Sequence, residues 1–173
     1  MTARVGSGID VHAFGAVTQG ATVVLAGVTI PSDAPLVGHS DADVVAHAVI
    51  DALLGAAGLG DIGERFGVDE PATRGADSLV LLAEVVRDVA RAGWRVGNVD
   101  VTVVAARPRV GPHRAAMRER LAGVLGVDPG AVSVKATTTD GLGGIGRGEG
   151  VAAWAVALLE PAPAPEGRDP VDD

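Results

Sequence analysis

The chain has 173 residues, enough for one domain with a substantial core, and its 22 Asp and Glu against 14 Lys and Arg give a formal net charge of −8. That balance argues against a general nucleic-acid binder, whose footprint is basic, but leaves room for a local pocket for a phosphorylated small molecule. The absence of Cys excludes disulfides, thiolate metal sites and a thiol nucleophile; with two Phe, two Trp and no Tyr in a chain that is 47% hydrophobic, the core must be built from Val, Leu and Ala.

Ala3–Ile9 and Ala21–Ile30 read as strands joined by a Gly-containing loop, the second rich in β-branched residues. The opening segment has no long apolar run, so neither a signal peptide nor a membrane span is expected, and a soluble cytoplasmic protein is the default. Pro31–Gly38 reads as a loop into a helix from Asp41 to about Ala57. Ser40 is the expected N-cap, with Asp43 three residues on as a variant capping box. Val45, Val49, Ala52, Leu53 and Ala56 form one buried stripe. Asp43, His47 and Asp51 fall at i, i+4 and i+8 on a second, polar face.

A His between two carboxylates invites a metal reading, with Asp51 orienting the ring. From this helix alone, a solvated face with a hydrogen-bonded His is the simpler account. Beyond Gly60 a loop runs to Gly75, and a helix is expected from about Ala76 to Ala92. A strand follows at Asn98–Ala106, then a helix at Pro112–Leu125 with Arg114, Arg118 and Arg120 outward. Ala131–Thr138 reads as another strand, a Gly-rich loop follows, and Gly150–Leu159 fits strand or helix.

The order β-β-α-α-β-α-β, with Gly150–Leu159 open as a fifth strand, implies an α/β fold. Its form is an α+β sandwich, a mixed sheet of four to five strands packed with helices. One domain spans 1–160, and the Pro- and acid-rich 161–173 is expected to be a disordered tail.

Asp10 and His12, two apart at a strand end, can project to one face. Alone, that pair is a weak signal; with His47 it supplies a carboxylate and two imidazoles, the ligand number of zinc sites that do chemistry. Lys135 and the run Thr137–Thr139, followed by glycines, offer donors to phosphate, or are simply a Thr-rich strand end. Gly141, Gly143 and Gly146 fit the dinucleotide pattern G-x-G-x-x-G, but Glu160 at the expected distance runs into the Pro-rich tail, and no βαβ unit can be completed. The Rossmann reading is rejected.

Taken together, GIDVHAF, GHSDADVVAHAVIDALLGAAGLGDIGERF, NVDVTVVAARP and VKATTTDGLGGIGRGEG closely resemble, in order and spacing, the 2-C-methyl-D-erythritol 2,4-cyclodiphosphate synthases of the non-mevalonate isoprenoid pathway, over about Arg4–Leu159. The resemblance implies a homotrimer with active sites between subunits. The implied reaction converts 4-diphosphocytidyl-2-C-methyl-D-erythritol 2-phosphate to the cyclic diphosphate and CMP. It implies Asp10, His12 and His47 as zinc ligands, and magnesium or manganese on the substrate diphosphate with Asp140 as a ligand to that second cation. His39 and Thr138 match the pair credited with stabilising the transition state.

Substrate contacts are implied at Asp10, Val11, His12, His39, Ser40, Asp61, Ile62, Gly63, Phe66, Glu70, Ala105, Arg107, Pro108, Thr137, Thr138, Thr139, Asp140 and Arg147. The cytidine and phosphate surroundings fall within Ala105–Gly111 and at Thr137. Neither nucleic acid nor membrane is an implied partner. Three positions depart from the family pattern: Phe66-Gly67-Val68-Asp69-Glu70 stands for Phe-Pro-Asp-Thr-Asp, Asp140 for Glu, and Gly144 for an aromatic residue. Arg147 and Glu149 fit subunit contacts or a channel lining as well as catalysis. A zinc phosphohydrolase using water and a non-catalytic trimeric binding protein remain as rival classes; a cyclic product released with CMP separates them.

Overall fold

The computed structural model describes residues 2–67 and 75–163. Strand β1 (Arg4–Ala13) leads to a hairpin of β2 (Thr22–Leu25) and β3 (Val28–Pro31), and then to helix α1 (Val44–Ala57). A short α2 (Ile62–Phe66), α3 (Ser78–Arg91), β4 (Trp94–Ala105) and α4 (Arg114–Leu125) follow. The chain closes with β5 (Val132–Thr137), a single turn α5 (Gly143–Gly146) and β6 (Gly150–Pro161). The main sheet has the order β1-β6-β4-β5; β6 runs antiparallel to both neighbours and β4–β5 is parallel, so the sheet is mixed as expected. Gly150–Leu159 is strand: its buried Ala153, Ala155 and Ala157 alternate with outward Trp154 and Val156.

One face of the sheet is covered by helices. Helix α1 lies on β1 and β6, α3 packs on α1 and β4, and α4 packs on β5 and α3. Side chains on the sheet under α1 are small or missing. A Cβ on Gly6 would stand 2.1 Å from Ala52 O, and one on Gly8 2.2 Å from Ala48 O, so β1 touches the backbone of α1 itself. This closeness brings Asp10 and His12 beside His47.

Several expectations need correction. The first strand does not stop at Ile9 but carries Asp10 and His12 within it. Ala21–Ile30 is not one strand; it turns at Ala26 and Gly27, both at positive φ. Ser40 is not the cap of α1. Asp43 is, accepting from Val45 N and Ala46 N at 3.0 Å and also from Ala26 N at 2.8 Å and Gly27 N at 2.7 Å. Burial pushes its carboxyl up to about 6, against the pull of those N–H groups. The polar face of α1 is not solvated: Asp43 and His47 are buried, since α1 is enclosed by sheet, hairpin and α3. The loop after Gly60 contains α2, capped by Asp61, which accepts from Glu64 N at 2.8 Å.

Candidate functional site

Alternation along β1 turns Asp10 and His12 to the helix side, where α1 presents His47. One ligand atom from each of the three lies within 4.8 Å of the others. Asp10 Oδ2 is 2.8 Å from His47 Nδ1 and 3.1 Å from His12 Nε2. His12 Nδ1 is 2.6 Å from the Val37 carbonyl, which can only accept, so Nδ1 carries a hydrogen. Nε2 is the nitrogen turned to the cluster, where it shares a proton with Asp10 or, with that proton displaced, offers its lone pair to a cation. Gly38 makes room for that ring, because a Cβ there would lie 2.9 Å from His12 Cε1.

Burial alone would raise the Asp10 carboxyl, but hydrogen bonds and charge attraction from His12 and His47 outweigh it and hold the group well below the usual carboxylate range. The hydrogen bond to Asp10 raises His12 above the ordinary imidazole value, against the effect of burial. A carboxylate and two imidazoles converge on one point, where only protons or a cation can satisfy them together. The donor set fits a divalent metal of the zinc type.

Behind the cluster, His47 Nε2 is 2.9 Å from Ser78 Oγ and 3.0 Å from Ser40 Oγ. Asp51, expected to orient His47, instead accepts from Ile62 N at 2.8 Å and so anchors the start of α2, with Asp61, Ile62 and Gly63, beside α1. Burial raises its carboxyl, and the Ile62 N–H opposes this. Val11 points away from the cluster and is exposed, while its N–H donates to Asp10 Oδ1 at 2.9 Å. The His39 carbonyl accepts from Gly75 N at 2.9 Å. Phe66 ends α2 under the Arg65 guanidinium. Glu70, with Val68 and Asp69, lies outside the described residues.

A second group of expected residues gathers at the other edge of the sheet. Ala105, Pro108, Thr137 and Thr138 line a cavity of about 500 Å³ together with Arg109 and Arg114. Arg107 is engaged elsewhere: it binds Asp33, donates to Gly148 O at 3.0 Å and stacks on Phe14. Thr138 Oγ1 donates to Asp140 Oδ1 at 3.1 Å, Asp140 has φ 51°, and Thr139 Oγ1 donates to Leu142 O at 2.6 Å. Arg147 is held in a forked pair by exposed Glu149. The short α5 leads into antiparallel β6, so the glycine run opens no βαβ unit. In register, Asp10 pairs with Ala153, which pairs with Val103, which pairs with Ala136. Three strand spacings, about 14 Å, therefore separate the carboxylate–imidazole cluster from the threonine edge within one chain.

A profile of the YgbB family matches residues 3–160. The chain belongs to the YgbB family. The 2-C-methyl-D-erythritol 2,4-cyclodiphosphate synthase of Rubrobacter xylanophilus is 57% identical over 159 residues, 92% of this chain and 96% of that protein. The protein of that name from Gemmatimonas aurantiaca is 55% identical over 156 residues, 90% of this chain and 92% of its own. Among solved structures, IspF of Plasmodium falciparum in its CDP complex superposes with a TM-score of 0.81 at 31% identity, covering 93% of this chain and 97% of that one. The YgbB chain thus has the mixed sheet and helix layer of its relatives. Among its described residues, no helix is long and apolar enough to cross a membrane.

Sequence reading missed Asp41 and Ser78. Ser78 Oγ donates to Asp41 Oδ1, and Ser78 N donates to Asp41 Oδ2 at 3.0 Å. The only signal was the Asp77–Ser78 pair opening α3, which reads as ordinary capping.

Proposed function

We propose that this YgbB chain cyclises 4-diphosphocytidyl-2-C-methyl-D-erythritol 2-phosphate to 2-C-methyl-D-erythritol 2,4-cyclodiphosphate, releasing CMP. The observation that carries the reading is the Asp10–His12–His47 cluster, in a chain whose near-full-length relatives bear that name. An oxygen of the 2-phosphate attacks the β-phosphorus, the bond to the CMP oxygen breaks, and CMP leaves with the electron pair, so no water is consumed. Zinc, held by Asp10, His12 Nε2 and His47 Nδ1, would supply Lewis acidity and a template for phosphoryl oxygens. Asp140 is the candidate ligand to magnesium or manganese on the diphosphate.

The chain's own groups position the reactants. The segment Asp61–Gly63, anchored by Asp51, offers backbone donors beside the cluster. Ser40, His39 and Thr138 supply polar groups for phosphoryl oxygens. The cavity lined by Ala105, Pro108, Thr137 and Thr138, with Arg109 at its wall, suits a nucleotide. Phosphoryl transfer to an internal nucleophile depends chiefly on such positioning and charge.

A homotrimer with intersubunit sites fits this division. The uncovered sheet face exposes Val5, Ile9, Val11, Trp154 and Val156, an apolar stripe suited to a second copy, and the cluster and the nucleotide cavity lie at opposite sheet edges. Residues 1–160 form the single catalytic domain in this reading. A small phosphorylated substrate supports a cytoplasmic location. CMP release measured by chromatography tests the activity: wild type turns over with zinc and magnesium, and His47→Ala loses zinc and activity together. An active, zinc-free His47→Ala would overturn the reading.

A further inference from the structure

His47 meets the ligand cluster through Nδ1, and its opposite nitrogen faces a polar knot in which Ser78 and Asp41 have no part in the reaction as described. Nε2 lies 2.9 Å from Ser78 Oγ, and Ser78, the first residue of α3, is fully buried. The direction of each hydrogen bond follows from counting protons. Asp41 as a carboxylate only accepts, and it takes both the hydroxyl and the backbone N–H of Ser78. The single hydroxyl proton of Ser78 is thereby committed, so Oγ faces His47 as an acceptor, and the hydrogen of that bond comes from Nε2. A neutral imidazole protonated at Nε2 carries its lone pair on Nδ1, the atom that faces Asp10 and His12.

The backbone is bent to make this arrangement. Ala42 has φ 58°, a left-handed conformation a non-glycine residue rarely adopts. It sends two nearby carboxylates apart, Asp43 into the N-terminus of α1 and Asp41 to the start of α3.

We propose that Asp41 and Ser78 are positioning residues that lock His47 in its Nε2–H form, so that Nδ1 is presented to a divalent cation, and that they tie the entry of α1 to the start of α3. The inference rests on reading Asp10, His12 and His47 as a metal site. Ser40 Oγ lies 3.0 Å from Nε2 and 3.4 Å from Ser78 Oγ; with its proton turned to Ser78 it too accepts from Nε2, but it has no carboxylate behind it to fix that direction.

The test uses the full chain with zinc alone as probe. Zinc affinity by chelator competition and the His47 Nε2–H proton resonance are measured for wild type, Ser78→Ala, Ser78→Thr and Asp41→Asn, with circular dichroism to verify folding. Ser78→Ala should weaken zinc binding roughly 10- to 100-fold, the usual cost of losing a partner behind a ligand, and the Nε2–H signal should broaden through exchange with water. Ser78→Thr, which keeps the hydroxyl, should restore both, and Asp41→Asn should reproduce the loss in smaller degree. Folded Ser78→Ala and Asp41→Asn with wild-type zinc affinity would overturn the inference. So would weakened binding with an unchanged Nε2–H signal, because that is what a merely structural role would give. A wild type that binds no zinc would instead overturn the metal reading itself, and the inference with it.

Discussion

Replacing Gly8 by Ala adds one methyl group where β1 meets α1. The new Cβ would lie 2.2 Å from Ala48 O and 2.8 Å from both Ala52 N and Asp51 Cβ. Two of these three atoms belong to the helix backbone and cannot swing aside. Restoring ordinary contact requires strand and helix to part by about 1 Å, because packed interiors have no slack to absorb the group. Overpacking of this kind costs about 1–3 kcal/mol, which for a chain of this size lowers Tm by about 2–12 °C.

The same movement carries Asp10 and His12 on β1 away from His47 on α1. Metal–ligand distances tolerate only about 0.2 Å of error, so zinc affinity should fall with stability, and activity by about 100-fold. Thermal unfolding by circular dichroism and zinc competition read the two effects. Gly55→Ala is the control: it lies in the same helix with nothing within 4 Å of its added Cβ, and it should raise stability by up to about 1 kcal/mol. A Gly8→Ala protein with the Tm and zinc affinity of the wild type would refute the claim that this contact sets the site.

Asp43→Ala strands the buried N–H groups of Ala26, Gly27, Val45 and Ala46, and urea unfolding should show a loss of about 3 kcal/mol. Folded Asp43 holds its proton up to about 6 against 3.8 unfolded, so its contribution is fully present below 3.8 and is lost as pH rises through 6. The slope of stability against pH between those values should flatten in Asp43→Asn. The hydrogen bond to Asp10 raises His12 above the ordinary value of 6.5, and a proton there competes with zinc, so zinc affinity should weaken as pH falls, beginning above 6.5; a pH-independent affinity would contradict this. Trp154→Glu places a charge on the apolar outer face and should shift the proposed trimer toward monomer in light scattering.

The readable parts of the molecule were those encoded locally. The alternation of a strand puts Asp10 and His12 on one face whatever the strand pairs with, and the helical stripe of Val45, Val49 and Leu53 fixes where His47 points. What lies between elements could not be read. Spacing along α1 points to Asp51 as the carboxylate behind His47, because sequence shows only neighbours on the same helix. The real partner is Ser78, 31 positions on, backed by Asp41. Ser40 looked like the cap because a hydroxyl before a helical run is the usual signal, whereas Asp43 takes that place by also receiving N–H groups from the β2–β3 turn. That turn was hidden because Ala26 adopts positive φ without being glycine. The Ala-rich run of β6 has little strand propensity of its own, and its place between β1 and β4 decides its form.

The central claim is tested most directly by the products formed when purified protein meets the diphosphocytidyl substrate with zinc and magnesium, followed by phosphorus NMR. The account predicts equal amounts of the cyclic diphosphate and CMP, with no inorganic phosphate. Inorganic phosphate without a cyclic product, or no turnover by protein shown to hold zinc, would contradict it.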